Sequence, residues 1–192
     1  MSLAGQLRRA VSAWRIKRLT LLEGGAHQSL TVGHRTRFHV PVRNGGLGTL
    51  QIGAGNAFGH PPTVRLGSGE ILLQPRLKEA RIVIGQKNCF SNNVSLIAMG
   101  EILMGDNCQI GDQVTIYDCD FHELNPERRT QSFGPVRPVR IGNNVWLGSR
   151  VMVLKGVTIG DNTVVGAMSL VTRPLPANCI AAGNPARVIR SL

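Results

Sequence analysis

The chain has 192 residues, enough for one domain with a short appendage. Its 42% hydrophobic and 17% charged residues exclude a disordered chain, and no window approaches the ~20 apolar residues that a membrane span needs. The formal charge of +11 is uneven: residues 1–60 carry eight Lys or Arg against one acid, Glu23, while residues 61–192 carry fourteen against ten.

The first predicted element is an amphipathic helix over residues 3–22, where Leu3, Leu7, Ala10, Val11 and Trp14 recur at helical spacing among Arg8, Arg9, Arg15 and Arg18. Gly24-Gly25 ends it, so residues 1–25 form a basic N-terminal unit. These charges interrupt any signal-peptide apolar core, and a cytoplasmic location is expected. Such a helix either packs on the domain or makes peripheral contact with an anionic bilayer at the inner membrane face, where each basic residue contributes roughly 1 kcal/mol. Nucleic acid is not an expected partner, because five Phe, two Trp and one Tyr are dispersed and offer no stacking platform.

Beyond the helix, an aliphatic or aromatic residue returns every six positions. The clearest run is Ile141, Leu147, Val153, Ile159 and Val165; Gly usually follows, and Val145, Val151, Val157, Thr163 and Ser169 stand four positions on. The same register appears at Met104, Ile110 and Ile116, at Ile84, Phe90 and Leu96, and weakly at Ile52, Phe58 and Val64. A helix of 3.6 residues per turn cannot keep a six-residue stripe on one face, whereas a coil that turns a corner every six residues does. The pattern predicts a mainly β protein, a parallel β-helix with three hexapeptide sides per triangular turn, the recurring residue inward and Gly and Asn at the corners. This domain is expected over residues 26–176, with residues 177–192, including Gly183-Asn184-Pro185, Arg187 and Arg190, as a C-terminal cap and tail. Cys89, Cys108, Cys119 and Cys179 have neither C-x-x-C nor metal-ligand spacing and read as reduced thiols, those within the repeats as small buried hydrophobes.

Two stretches break the rhythm. Residues 67–82 read as an imperfect turn with an extra loop, and residues 117–140 as a protruding, polar, proline-bearing loop long enough to be functional. The second loop holds Asp118, Asp120 and His122. Histidine suits general-base work near neutral pH, and a carboxylate, Asp120 first, would orient its ring. On these residues alone, a solvated loop histidine and a catalytic one both stay open.

From about Ile84 to Leu192 the chain resembles the hexapeptide-repeat O-acetyltransferases of the galactoside, maltose and nodulation-factor type, and the related bacterial polysaccharide O-acetyltransferases. The carrying motifs are Asp118-Cys-Asp-Phe-His122, Ile141-Gly-Asn-Asn-Val-Trp146-Leu-Gly-Ser149, Gly156-Val-Thr-Ile-Gly-Asp161-Asn, Gly166-Ala167, Val171-Thr172-Arg173 and Ala182-Gly-Asn-Pro-Ala-Arg187. The resemblance implies a left-handed β-helix, acetyl-CoA as co-substrate, no metal, and a homotrimer with sites between neighbouring coils. It also implies O-acetyl transfer to a saccharide hydroxyl in surface polysaccharide biosynthesis. His122 would be the base, and the Ser149 N–H would meet the oxyanion. Trp146, Ala167, Thr172, Arg173, Arg187 and Arg190 would line the cofactor channel, and Asn92, Asn93 and Asp118 would hold the acceptor. Arg173 stands where the family often has Lys, and Ala98, Met99 and Gly100 stand where it has an acidic residue. N-acetyl transfer to an amino sugar, a drug acetyltransferase of the streptogramin or chloramphenicol type, and a non-catalytic scaffold are the alternatives. A zinc enzyme of the γ-carbonic anhydrase type is disfavoured, since His27, His34, His39, His60 and His122 form no cluster in the repeats.

Overall fold

A computed structural model of the chain describes residues 3–19, 29–59 and 67–192. Helix α1 (Leu3–Arg18) carries Arg15, Lys17 and Arg18 in its last turn, where positive charge complements the helix dipole. It is fastened to the coil by its second half. Ser12 Oγ accepts the Phe38 N–H at 2.8 Å, the Arg15 guanidinium donates to the Phe38 carbonyl at 3.2 Å, and Leu19 is buried. Leu3, Leu7, Val11 and Trp14 share the opposite, exposed face. The expected stop at Gly24-Gly25 lies outside the described residues.

The hexapeptide sides stack into three parallel sheets. Sheet A holds β1 (Leu30–Val32), β4 (Thr49–Ile52), β7 (Arg81–Ile84), β10 (Glu101–Met104), β13 (Val139–Ile141) and β16 (Thr158–Ile159). Sheet B holds β2 (Arg37–Phe38), β5 (Ala57–Phe58), β8 (Cys89–Phe90), β11 (Gln109–Ile110), β14 (Trp146–Leu147), β17 (Val164–Val165) and β19 (Cys179–Gly183). Sheet C holds β3 (Val42–Arg43), β6 (Ile71–Pro75), β9 (Ser95–Ala98), β12 (Thr115–Tyr117), β15 (Met152–Val153) and β18 (Leu170–Val171). Up to β18, hydrogen-bonded neighbours are three strands apart in the chain, so the backbone visits A, B and C in rotation. This is the parallel β-helix expected from the repeats, of the left-handed class that the resemblance implies, with one N-terminal helix. Residues 177–192 are more ordered than a tail: β19 extends sheet B, and β20 (Ala186–Ser191) folds back on it antiparallel, with only Ala186 buried.

The inward columns form one continuous core. On sheet B the register runs Phe38, Phe58, Phe90, Ile110, Leu147, Val165, Ala181, tapering from aromatic to methyl along the axis. Phe38 meets Phe58 edge-on at 5.0 Å between centroids, and Phe58 stacks on Phe90 at 4.6 Å. Corners repeat with the same period. Lys87 and Asn93, Asn107 and Gln113, Asn144 and Arg150, and Asn162 and Met168 are six residues apart, all with φ from 53° to 60°.

Register departs from six in two informative places. Val64 lies outside the described residues, and the third side of that turn is β6, reached only at Ile71. Between Leu96 and Met104 the spacing is eight; the extra residues bulge at Met99-Gly100, on the corner between sheets C and A.

Candidate functional site

The long loop leaves the coil at that same corner, between Tyr117 at the end of β12 and Val139 at the start of β13. Its base is pinned there. Phe121 packs edge-on against Tyr117 with centroids 5.1 Å apart, and the Arg76 guanidinium lies 4.8 Å over the Phe121 ring. Asp120 forms an ion pair with Lys155, just beyond β15.

His122 is exposed, and its Nδ1 lies 3.1 Å from the Arg129 carbonyl oxygen. A carbonyl only accepts, so Nδ1 carries the proton in the neutral ring and the Nε2 lone pair is left to act as a base. Arg129 is placed by a single 3-10 turn, Pro126–Arg128, capped by Asn125, whose Oδ1 accepts the Glu127 N–H at 3.0 Å. Gly134 closes the loop from the other side: a Cβ there would sit 2.7 Å from the His122 carbonyl. Asp120, expected to orient His122, instead spends its carboxylate on Lys155. Sequence reading missed Arg129 because a peptide carbonyl leaves no residue signature; the Asn125-Pro126 turn signal was the available clue.

Asp118 is not an acceptor ligand. It is wholly buried, and its carboxylate accepts the N–H groups of Met99 at 2.8 Å and of Gly100 and Glu101 at 2.7 Å, satisfying the bulge. Burial raises its pKa above the ordinary carboxylate range, and the three N–H donors pull the other way. Asn92 is likewise inside the coil, wholly buried, which removes it from contact with a bound substrate. Asn93 is a positive-φ corner residue whose side-chain amide donates to Asp112 at 3.2 Å.

The expected cofactor residues gather elsewhere. Trp146 projects from the outer face of sheet B, 55% exposed, over a groove of about 200 Å³ shared with Cys89, Ser91, Gln109 and Gly111. Ser149 turns the corner from sheet B to sheet C, and Ala167 turns it one coil later. The two turns are so close that a Cβ on Gly148 would lie 2.6 Å from the Ala167 backbone nitrogen. Thr172 and Arg173 follow β18 and are exposed, and Arg187 and Arg190 sit on β20 opposite Ala182 and Ile180. Burial pushes the Cys89 thiol pKa up, which makes it a poor nucleophile at neutral pH. His122 therefore stands at the C–A corner, while Trp146, Ser149 and Ala167 line sheet B and the B–C corner of the same chain. Among the described residues, no group of three or more His, Cys, Asp or Glu is placed to hold a metal ion, and no helix is long and apolar enough to cross a membrane.

Residues 138–173 match the family described as bacterial transferase hexapeptide (six repeats). The galactoside O-acetyltransferase of Escherichia coli (strain K12) is 43% identical over 110 residues, 55% of this chain and 52% of that protein. The chain thus spans about half the length of the curated relatives it matches. Among solved structures, a hexapeptide-repeat acetyltransferase from Vibrio cholerae O1 biovar eltor, complexed with acetyl coenzyme A, is 34% identical with a TM-score of 0.53; the match covers 58% of this chain and 60% of that one. A polysialic acid O-acetyltransferase is 25% identical with a TM-score of 0.66, covering 85% of this chain and 74% of that one.

Proposed function

We propose that this hexapeptide-repeat coil is an acetyl-CoA-dependent O-acetyltransferase acting on a saccharide hydroxyl, in surface polysaccharide biosynthesis. The carrying observation is the His122 ring, whose Nδ1 faces the Arg129 carbonyl and whose Nε2 is left as the basic atom. Similarity to galactoside and polysialic acid O-acetyltransferases supports the saccharide acceptor, and similarity to an acetyl-CoA complex supports the donor.

In this reading Nε2 takes the proton of the acceptor hydroxyl as its oxygen attacks the thioester carbonyl carbon. The Ser149 N–H meets the oxyanion, a role worth about 3 kcal/mol in comparable sites. Collapse breaks the C–S bond, and the imidazolium returns the proton to the departing thiolate. Trp146 and Ala167 flank the pantetheine arm, and Thr172, Arg173, Arg187 and Arg190 face the nucleotide and its phosphates. Cys89 gives no reason to invoke an acyl-cysteine relay, because its protonated thiol is unreactive.

One chain holds His122 and the Trp146 groove on different sides of the coil, which supports a homotrimer whose sites lie between neighbouring subunits. The exposed row Leu3, Leu7, Val11 and Trp14 supports peripheral contact of α1 with the cytoplasmic membrane face.

Thiol release from acetyl-CoA, followed with galactosides as acceptors, tests the chemistry. His122→Ala is expected to bind CoA normally and to lose about 10²–10⁴-fold in kcat. Turnover near the wild-type rate in that variant would remove the proposed base.

A further inference from the structure

We propose that the cleft between α1 and the first turn of the coil is a binding site for a diphosphate ester. The cleft encloses about 770 Å³. Arg8 and Arg9 line it from the helix, and Arg35 and Arg37 from the coil, with Ser12 and His39 between them. No Asp or Glu is among the described residues lining it, and before Glu70 the chain has a single acid, Glu23, which lies outside the described residues.

Four arginines lining one concavity, with no acid among its described lining, raise a positive potential that favours a multiply charged anion. A guanidinium fork is matched by two oxygens of a phosphoryl group or carboxylate. A lone carboxylate fills one such fork, whereas a diphosphate presents two adjacent phosphoryl groups to opposing pairs of arginines. The volume exceeds what the diphosphate itself occupies and leaves room for the sugar or nucleoside it esterifies. The walls are preformed, because Ser12 and Arg15 already hold α1 on Phe38 and need not move to admit a ligand.

The cleft is separate from the groove beside Trp146. Arg37 and Trp146 share the outward column of sheet B, four strands apart through Ala57, Cys89 and Gln109. At roughly 4.8 Å per strand that is about 19 Å along the axis. The proposal therefore stands whether or not the chain transfers acetyl groups.

Calorimetric titration of the full chain with inorganic pyrophosphate tests it. Saturable binding is expected, weakened at least tenfold by Arg35→Ala/Arg37→Ala and by Arg8→Ala/Arg9→Ala. Lys78→Ala, an exposed cation outside both the cleft and the Trp146 groove, is expected to stay within twofold. Arg35 and Arg37 are exposed, so the core does not depend on them. Arg35→Lys/Arg37→Lys, which keeps the charge and loses the fork, is expected to bind several-fold more weakly than wild type and serves if the alanine pair misfolds. Undiminished affinity in the cleft variants, an equal response to sulfate at matched ionic strength, or an equal loss in Lys78→Ala would each overturn the proposal. Displacement of pyrophosphate by UDP-galactose identifies a soluble nucleotide ester, and displacement by vesicles carrying a polyprenyl diphosphate identifies a lipid-linked one. If neither displaces it, the cleft takes only the inorganic ion and the ester assignment fails.

Discussion

His122 owes its tautomer to a peptide carbonyl, so the readiness of its Nε2 depends on the backbone that presents Arg129. Asn125 holds that backbone by capping the turn before it. Asn125→Ala removes the cap and is expected to lower kcat about tenfold, with KM for acetyl-CoA unchanged; steady-state kinetics on both substrates separates this from damage to the groove. Asp118 works in the opposite sense, as structure rather than chemistry. Asp118→Ala strands three part-buried N–H groups at the Met99-Gly100 bulge and is expected to cost about 2–4 kcal/mol, read as a shift in the denaturation midpoint at constant slope. Sequence reading singled out His122, because a histidine in an excursion from a regular coil stands out. It misjudged Asp118 and Asp120, because proximity in sequence does not say which way a loop carboxylate turns.

At the scale of the element, the six-residue period exposes the inward columns, since burial demands an apolar residue on every side of each turn. The later turns were therefore readable from Ile141 onward. The earlier turns were less so: α1 is fastened to the first through Phe38, and in the second the inward residue in register with Leu96 is Leu73, fifteen positions after Phe58 instead of six. Corner conformation is a second periodic demand. Met168 has φ 60° and is 70% exposed, so its side chain contributes little by packing. Met168→Val, which puts a β-branched residue in the left-handed region, is expected to lose about 1–2 kcal/mol, while Met168→Gly loses none. Thermal melts of the two variants decide it: equal midpoints would mean that the corner is not strained.

Over the whole molecule, the fold separates what the proposed chemistry needs together. The loop with His122 is tied to the C–A corner by Phe121, Tyr117, Arg76 and Lys155, while Trp146 and Ser149 belong to sheet B and the B–C corner. A groove on one coil is completed by the imidazole of another if three coils pack side by side. The cleft between α1 and the first turn gives the other end of the molecule a charge character that this site does not use. Neither arrangement is visible in the order of residues, because both arise from which face of a coil each residue reaches.

Mixing subunits tests the shared site most directly. His122→Ala chains lack the base, and Trp146→Ala/Arg173→Ala chains lack the ring over the groove and a guanidinium assigned to the cofactor. Unfolded and refolded together in equal amounts, the two inactive variants are expected to recover about a quarter of wild-type thiol release, since one site in four draws both intact halves from different chains. No recovery in mixed trimers of normal size would contradict a site built between subunits.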